Sequence, residues 1–358
     1  MGPCIGVMAG GTGGHVFPAL AVAERLRAEG ARVFWIGTRR GMESRLVPAH
    51  GFEIEWLGIE GVRGKGWRSR LLAPWRLARA SWQAARILRR RRPALVVGMG
   101  GFVSGPGGLM ARVLGIPLVV QEQNRVPGLT NQWLSRIARR VFEGFPGSFA
   151  PGRAEVSGNP VRAEIAALPA PAERWRERDG VARLLVLGGS LGALALNRAL
   201  APALARLDPE ARPLVRHQAG ARTLEEARAA YREAGVEAEV VPFIDDMAAA
   251  YAWADLVVCR AGALTVSELA AAGVGAVLVP YPHAVDDHQQ ANAGYLVEVG
   301  AARLLPQTAL TVERLGALLA ELLGDRAALL AMAEAARDRA RPEAAARIAA
   351  HCLEEVGR

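Results

Sequence analysis

His15 closes the loop Gly10-Gly11-Thr12-Gly13-Gly14, after an apolar stretch from Cys4 to Ala9 and just before a helical pattern from Ala19 to Glu29. Histidine titrates near ~6.5, so it can serve as a general base at neutral pH. It can equally well hydrogen-bond the surrounding backbone. Glu122 stands in Gln121-Glu122-Gln123-Asn124, which ends the apolar stretch from Ile116. As a general base it would need a pKa raised by burial. A third group runs from Val257 to Gly275. It reads as a strand, a turn Arg260-Ala261-Gly262-Ala263, and a helix from Leu264 to Ala272 opened by Thr265, Ser267 and Glu268. The free N–H groups of a helix start suit a phosphate or a sugar hydroxyl, and Gly262 lets a ligand approach the backbone. An acid in that first turn also fits plain helix capping. Asp245-Asp246 and Asp286-Asp287 are adjacent pairs rather than an Asp-x-Asp triplet, so the spacing requires no tightly held metal.

These groups need a scaffold that brings strand ends together. Apolar strands alternate with helical segments along the whole chain, which implies α/β architecture with parallel sheets. The plan is stated twice. Gly188-Gly189-Ser190-Leu191-Gly192-Ala193 follows the strand Leu184 to Leu187, as the first glycine loop follows its own strand. Strand, glycine loop and helix start form a backbone cradle for phosphate. The first loop is not a dinucleotide fingerprint: Val16 stands at the third glycine position. The next strand ends in Thr38-Arg39-Arg40 without an acid, which weighs against a dinucleotide cofactor and so against a nicotinamide oxidoreductase. No Walker lysine is present. Ala166 to Gly180 reads as a linker, and Leu310 to Val356 as a helical, Ala-rich tail.

The chain has 358 residues and a net charge of +9, a length that favours two domains. Arg63 to Arg92 alone holds eleven basic residues and no acid, so the rest of the chain is slightly acidic. Trp67, Leu71, Leu72, Trp75, Arg76, Arg79 and Trp82 fall in that segment. Tryptophan and leucine beside arginine suit an anionic membrane interface; a solvated face on core-packed helices interrupted at Pro74 is the simpler alternative. No nucleic-acid-binding motif accompanies the charge. Cys4, Cys259 and Cys352 are too few and too scattered for a disulfide framework or a zinc site. The N-terminus has no basic region of a signal peptide. No apolar run approaches the ~18 residues of a membrane span.

Seven segments in order, GGTGGHVFPALAVA, MGGFVSGPGG, QEQNRVPGLTN, SGNPVR, GGSLGA, FIDDMAAAYAWADLVVCRAGALTVSELAAAG and DDHQQANA, resemble the successive motifs of the MurG family. These bacterial transferases add N-acetylglucosamine to lipid I to form lipid II. The resemblance covers about Ile5 to Gly300. It implies a GT-B fold, two Rossmann-like domains with parallel sheets facing across a cleft: 1–162 binding the acceptor, 163–339 binding UDP-N-acetylglucosamine, and a last helix, about 340–358, returning to the first domain. It also implies roles. Ile244 meets the uracil by its backbone with Arg162 nearby, Glu268 holds the ribose, and Ser190 binds the diphosphate. Ala263, Leu264 and Thr265 contact phosphate and sugar, and Gln289 or its neighbour Gln290 holds the sugar hydroxyls. Thr12, Gly13, Gly14 and Asn124, with His15, line the acceptor side and complete the set around the donor. His15 is the first candidate for the base and Glu122 the second. Gln121 departs from the family's usual histidine, so no base stands there.

The implied enzyme works on the cytoplasmic face of the bacterial plasma membrane as a peripheral protein. It meets anionic inner-leaflet lipids and other cell-wall synthesis and division proteins. It needs no cofactor, with Mg²⁺ at most a stimulant, and it binds no nucleic acid. The alternative is a UDP-sugar transferase acting on another lipid acceptor such as diacylglycerol.

Overall fold

Strand residues buried on both faces read as continuous apolar runs, and such runs form parallel sheets covered by helices on both sides. In the computed structural model, which describes residues 2–59, 73–176, 178–189, 192–282 and 287–357, both sheets have this form. The chain divides into two units, Met1–Arg162 with Arg341–Arg358, and Ala163–Ala340.

The first unit carries strands β1 (Cys4–Met8), β2 (Arg32–Gly37), β3 (Glu53–Trp56), β4 (Leu95–Gly98), β5 (Leu118–Glu122), β6 (Arg140–Glu143) and β7 (Glu155–Val156). Their spatial order is β3-β2-β1-β4-β5-β6-β7, with every pairing parallel. Alternate residues serve opposite faces. Ile5, Val7, Leu95, Val97 and Val119 pack with helix Gly13–Ala28 and with Ile348, Ala349 and Cys352 of the C-terminal helix Ala344–Gly357. Met8, Val96, Val120 and Leu118 pack on the other face with Ala84, Ile87 and Leu88 of helix Ala73–Arg91. Arg347 donates to Glu155 from Nε at 2.9 Å and fixes the C-terminal helix at the β7 edge.

The second unit carries β8 (Arg183–Leu187), β9 (Leu214–Gln218), β10 (Glu239–Val241), β11 (Leu256–Cys259), β12 (Gly275–Leu278) and β13 (Ala302–Leu304) in the order β10-β9-β8-β11-β12-β13, again parallel. Each sheet therefore reverses direction of growth once, between β1 and β4 and between β8 and β11. Ligands of open α/β sheets bind outside the strand carboxyl ends at such a switch point.

One expectation changes. The segment read as a linker, Ala166 to Gly180, contains helix Pro171–Trp175, and Trp175 packs against the second unit's core. Arg174 donates to the carbonyls of Ala272 and Gly273 at 2.6 Å each, and Arg178 pairs with buried Asp255. The arginines that suggested a solvated linker instead satisfy carbonyls left open at a helix C-terminus. Pro74 stands at the start of the described helix Ala73–Arg91, where proline is tolerated, and the part of the basic segment before it lies outside the described residues.

Behind the second glycine loop, His217 at the end of β9 is fully buried, with Nδ1 3.1 Å from Tyr231 Oη and Nε2 3.1 Å from Asn197 Oδ1. Burial pushes its pKa down to about 4. Above the unfolded value of ~6.5 the ring is neutral in both states. Below it the unfolded chain gains a proton that the folded chain refuses, so stability is lost as pH falls from about 6.5 to about 4. The full loss is on the order of 3 kcal/mol. Chemical denaturation of the chain and of His217→Gln at pH 7 and pH 4.5 checks this: the variant should lose less stability between the two. An equal loss would refute it.

Candidate functional site

In the first unit the loop after β1 meets the loop after β4. Helix Gly13–Ala28 starts at Thr12 with no side-chain cap and no acid in its first turn, so its leading N–H groups remain available to an anion. Met99 to Val103 lies opposite. A side chain at Gly101 would begin 2.3 Å from the Gly10 carbonyl, and Gly101 also has φ +80°. Only glycine allows this approach. Ser104 Oγ ties the two loops by donating to Met8 O at 3.0 Å and to Gly100 O at 2.8 Å. His15 is half-buried in the first helical turn, with Nδ1 3.5 Å from the Thr12 hydroxyl. Its ring edge lies over Gly100, where a Cβ would stand 2.5 Å from Cδ2.

Glu43 was not singled out from the sequence, yet it holds this loop. Fully buried, it accepts from Gly11 N at 2.9 Å, Thr38 N at 2.8 Å and Thr38 Oγ1 at 2.7 Å. Trp35 Nε1 donates to Ala9 O at 2.8 Å. A signal existed: an acid two residues after Gly41, in the loop that Thr38 opens after β2. Its partner, however, is 32 residues away.

Glu122 is also buried, and its two oxygens accept four N–H groups: Asn124 N at 2.8 Å, Asn124 Nδ2 at 3.1 Å, Gly128 N at 3.1 Å and Asn131 Nδ2 at 2.9 Å. A carboxylate has about four lone-pair sites, so these bonds fill it. The geometry makes Glu122 the clasp of the loop 123–131, with no lone pair to receive a proton from substrate. Asn124, half-exposed, is held by that clasp and accepts from Ser148 Oγ through its carbonyl at 3.0 Å.

In the second unit, candidate residues lie in order along the carboxyl edge of the sheet. Ile244 follows β10, and Asp246 caps helix Met247–Trp253 by accepting from Ala249 N at 2.9 Å. Gly188 and Gly189 follow β8; a Cβ on Gly188 would stand 2.8 Å from the Gln218 carbonyl. Gly192, at φ +78°, lies against the Ala219 carbonyl. Ser190 lies outside the described residues. Helix Ala263–Ala272 follows β11, with Gly262 as N-cap, no side-chain cap and no acid in the first turn. The expectation that Glu268 opens this helix is corrected. It stands in the second turn, buried, and accepts from Tyr251 Oη at 3.2 Å. Ala263, Leu264 and Thr265 form the first turn. Gln289 follows β12 and accepts from Tyr281 N at 2.9 Å through Oε1. From Ile244 to Gln289 the edge crosses four strand intervals, roughly 19 Å at ~4.8 Å each. That span suits an elongated ligand, and the N–H groups at the helix start suit an anionic part of it. Arg162 belongs to the first unit, its guanidinium 5.6 Å from the Phe17 ring centroid.

The basic helix presents Trp75, 63 % exposed, and Trp82, 62 % exposed, with Arg79 and Arg86 at 5.8 Å from their rings. Arg76 is half-buried on the same helix. Trp67, Leu71 and Leu72 lie outside the described residues. Arg90 and Arg91 are engaged elsewhere: Arg90 pairs with Glu55 at 2.5 Å, and Arg91 with Glu55 at 2.7 Å and Glu53 at 2.6 Å. They anchor the helix end to β3. No helix of the described residues is long and apolar enough to cross a membrane, and no cluster of three or more His, Cys, Asp or Glu among them could hold a metal ion.

The chain matches the glycosyltransferase family 28 N-terminal domain over residues 5–143 and the C-terminal domain of the same family over residues 183–348. It is 57 % identical over 350 residues, 98 % of each chain, to the UDP-N-acetylglucosamine–N-acetylmuramyl-(pentapeptide) pyrophosphoryl-undecaprenol N-acetylglucosamine transferase of Alkalilimnicola ehrlichii. It is 58 % identical over 349 residues, 97 % of each chain, to the enzyme of the same description from Nitrosococcus oceani. Among solved structures, Acinetobacter baumannii MurG aligns with a TM-score of 0.85 at 43 % identity, covering 98 % of this chain and 99 % of that one.

Proposed function

The chain belongs to glycosyltransferase family 28, and from that membership we propose that it transfers N-acetylglucosamine from UDP-N-acetylglucosamine to the C4 hydroxyl of the N-acetylmuramyl unit of undecaprenyl-pyrophosphoryl-N-acetylmuramyl-pentapeptide. Near-full-length identity to transferases of that description carries the reading. The product is lipid II, a peptidoglycan precursor. The rival acceptor is a diacylglycerol. Offering radiolabelled UDP-N-acetylglucosamine with a short-chain lipid I analogue or with diacylglycerol separates them: label should pass to the muramyl lipid. Label on diacylglycerol alone would overturn the acceptor assignment.

The proposed chemistry is one in-line displacement. His15 removes the proton of the C4 hydroxyl as its oxygen attacks C1 of the donor sugar, and the C1–O bond to the diphosphate breaks with its electron pair leaving on UDP. The backbone N–H groups of the Gly188–Gly192 loop and of the helix start at Ala263, Leu264 and Thr265 stabilise that charge. Ser190 of the same loop is proposed to bind the diphosphate. Ile244 receives the uracil with Arg162, Glu268 the ribose, and Gln289 the sugar hydroxyls. Thr12, Gly13, Gly14 and Asn124 hold the acceptor side against the donor. No metal ion enters these steps; Mg²⁺ acts as a stimulant only.

The lipid acceptor resides in a bilayer, so the exposed tryptophans and arginines of helix Ala73–Arg91 are proposed to dock on anionic lipid at the cytoplasmic face. Contacts with other cell-wall synthesis and division proteins belong to the same proposal. Arg90 and Arg91 are the wrong residues to reverse, because their ion pairs hold the helix. The double variant Arg79→Glu, Arg86→Glu should weaken binding to anionic vesicles at least about tenfold, each basic residue contributing ~1 kcal/mol, while UDP binding stays unchanged. Equal vesicle sedimentation of variant and parent would refute the docking face.

A further inference from the structure

Gln123 has its side chain 1 % exposed, yet Oε1 has no hydrogen-bond partner among the described residues. An unpaired buried oxygen costs about 1–3 kcal/mol. The amide cannot turn round to relieve it. Nε2 donates to the Met99 carbonyl at 2.8 Å and to Gln121 Oε1 at 2.5 Å. Gln121 Nε2 in turn donates to Asn159 Oδ1 at 2.9 Å, and Asn159 Nδ2 returns to the Gln123 carbonyl at 2.9 Å. Three buried amides thus run in one direction, anchored on a main-chain acceptor, and Gln123 Oε1 is left as an obligate acceptor.

That oxygen and the His15 ring edge border the same space above Gly100, although no hydrogen bond joins them in this structure. The point above Gly100 where a Cβ would begin is 3.4 Å from Gln123 Oε1, 2.9 Å from His15 Nε2 and 2.5 Å from His15 Cδ2. Nδ1 is the nitrogen directed at the exposed Thr12 hydroxyl. In a neutral imidazole one nitrogen carries hydrogen, and a partner on that side fixes which.

We propose that Gln123 is a positioning residue: its Oε1 accepts Nε2–H of His15, holds the neutral ring in that tautomer, and leaves Nδ1 as the atom that takes the acceptor's proton. In the step, the O–H bond of the sugar breaks and Nδ1–H forms. The imidazolium keeps Nε2–H on Gln123, now in a charge-assisted bond. This rests on the proposed role of His15 as base.

The test is ¹⁵N NMR of histidine-labelled full-length protein at a pH where His15 is neutral, with His15→Ala identifying its signals. The expected spectrum has Nε2 protonated and Nδ1 bare; a protonated Nδ1, or exchanging tautomers, overturns the proposal. Gln123→Met should mix the tautomers and lower kcat about 10- to 100-fold with UDP-N-acetylglucosamine affinity unchanged. A purely structural glutamine would leave the tautomer as it was. Should Gln123→Met not fold, Gly100→Ala, at a φ of +96° that strains any side chain, sets a methyl against both the His15 ring edge and Gln123 Oε1 and should mix the tautomers likewise; an unmixed spectrum there counts against the proposal. Loss of transfer in His15→Ala tests the base assignment separately, so the two failures are distinguishable.

Discussion

His15→Ala lowers the rate of transfer by about 10²- to 10⁴-fold, the range removed with a general base, and leaves UDP-N-acetylglucosamine binding intact. Of the residues proposed to hold the donor, Ile244, Ala263 to Thr265, Glu268 and Gln289 belong to the second unit and Arg162 to the first, whereas His15 lies in the first turn of a helix in the first unit. Removing the imidazole should therefore appear in kcat, with little change in the affinity for donor. Steady-state kinetics beside isothermal titration with UDP-N-acetylglucosamine checks this. Undiminished kcat would move the proton elsewhere; lost donor binding would mean that His15 acts on the donor instead.

Glu122→Gln is expected to destabilise the first unit by about 3 kcal/mol. The substitution replaces one acceptor oxygen by an NH₂ that faces donors, so two of four bonds to the clasped loop are lost and an N–H is set against N–H. Hydrogen bonds to a charged group contribute about 1.5–3 kcal/mol each. Transfer falls as well, because Asn124 loses its support. Denaturant unfolding separates this from a base: a catalytic carboxylate would lose activity at unchanged stability. That result would restore Glu122 as the proton acceptor.

Much of this arrangement was legible in the sequence where it depends on local pattern. Apolar runs marked most strands of both sheets, though not β3, β6 or β13, and the two glycine loops marked both switch points, because parallel sheets impose those patterns directly. Relations across the sheet were not legible. Glu43 supports Gly11 from another strand's loop, and Arg90 and Arg91 look like free charge until β3 brings Glu53 and Glu55 beside them. Arg174 and Arg178 resembled linker residues because helix C-termini 98 and 76 residues later supply their acceptors. Glu122 looked available for chemistry since nothing local reveals that Gly128 and Asn131 fold back on it. Glu268 was placed one turn too early for a similar reason: the helix begins at Ala263, and the acid that seemed to open it lies under Tyr251.

The most direct measurement is the anomeric configuration of the product formed from UDP-α-N-acetylglucosamine and a short-chain lipid I analogue, read from the sugar H1–H2 coupling by NMR. A single displacement assisted by one base predicts a β-linked N-acetylglucosamine on the muramyl C4 oxygen. An α-linked product, attachment at another hydroxyl, or no transfer despite UDP-sugar binding would contradict it.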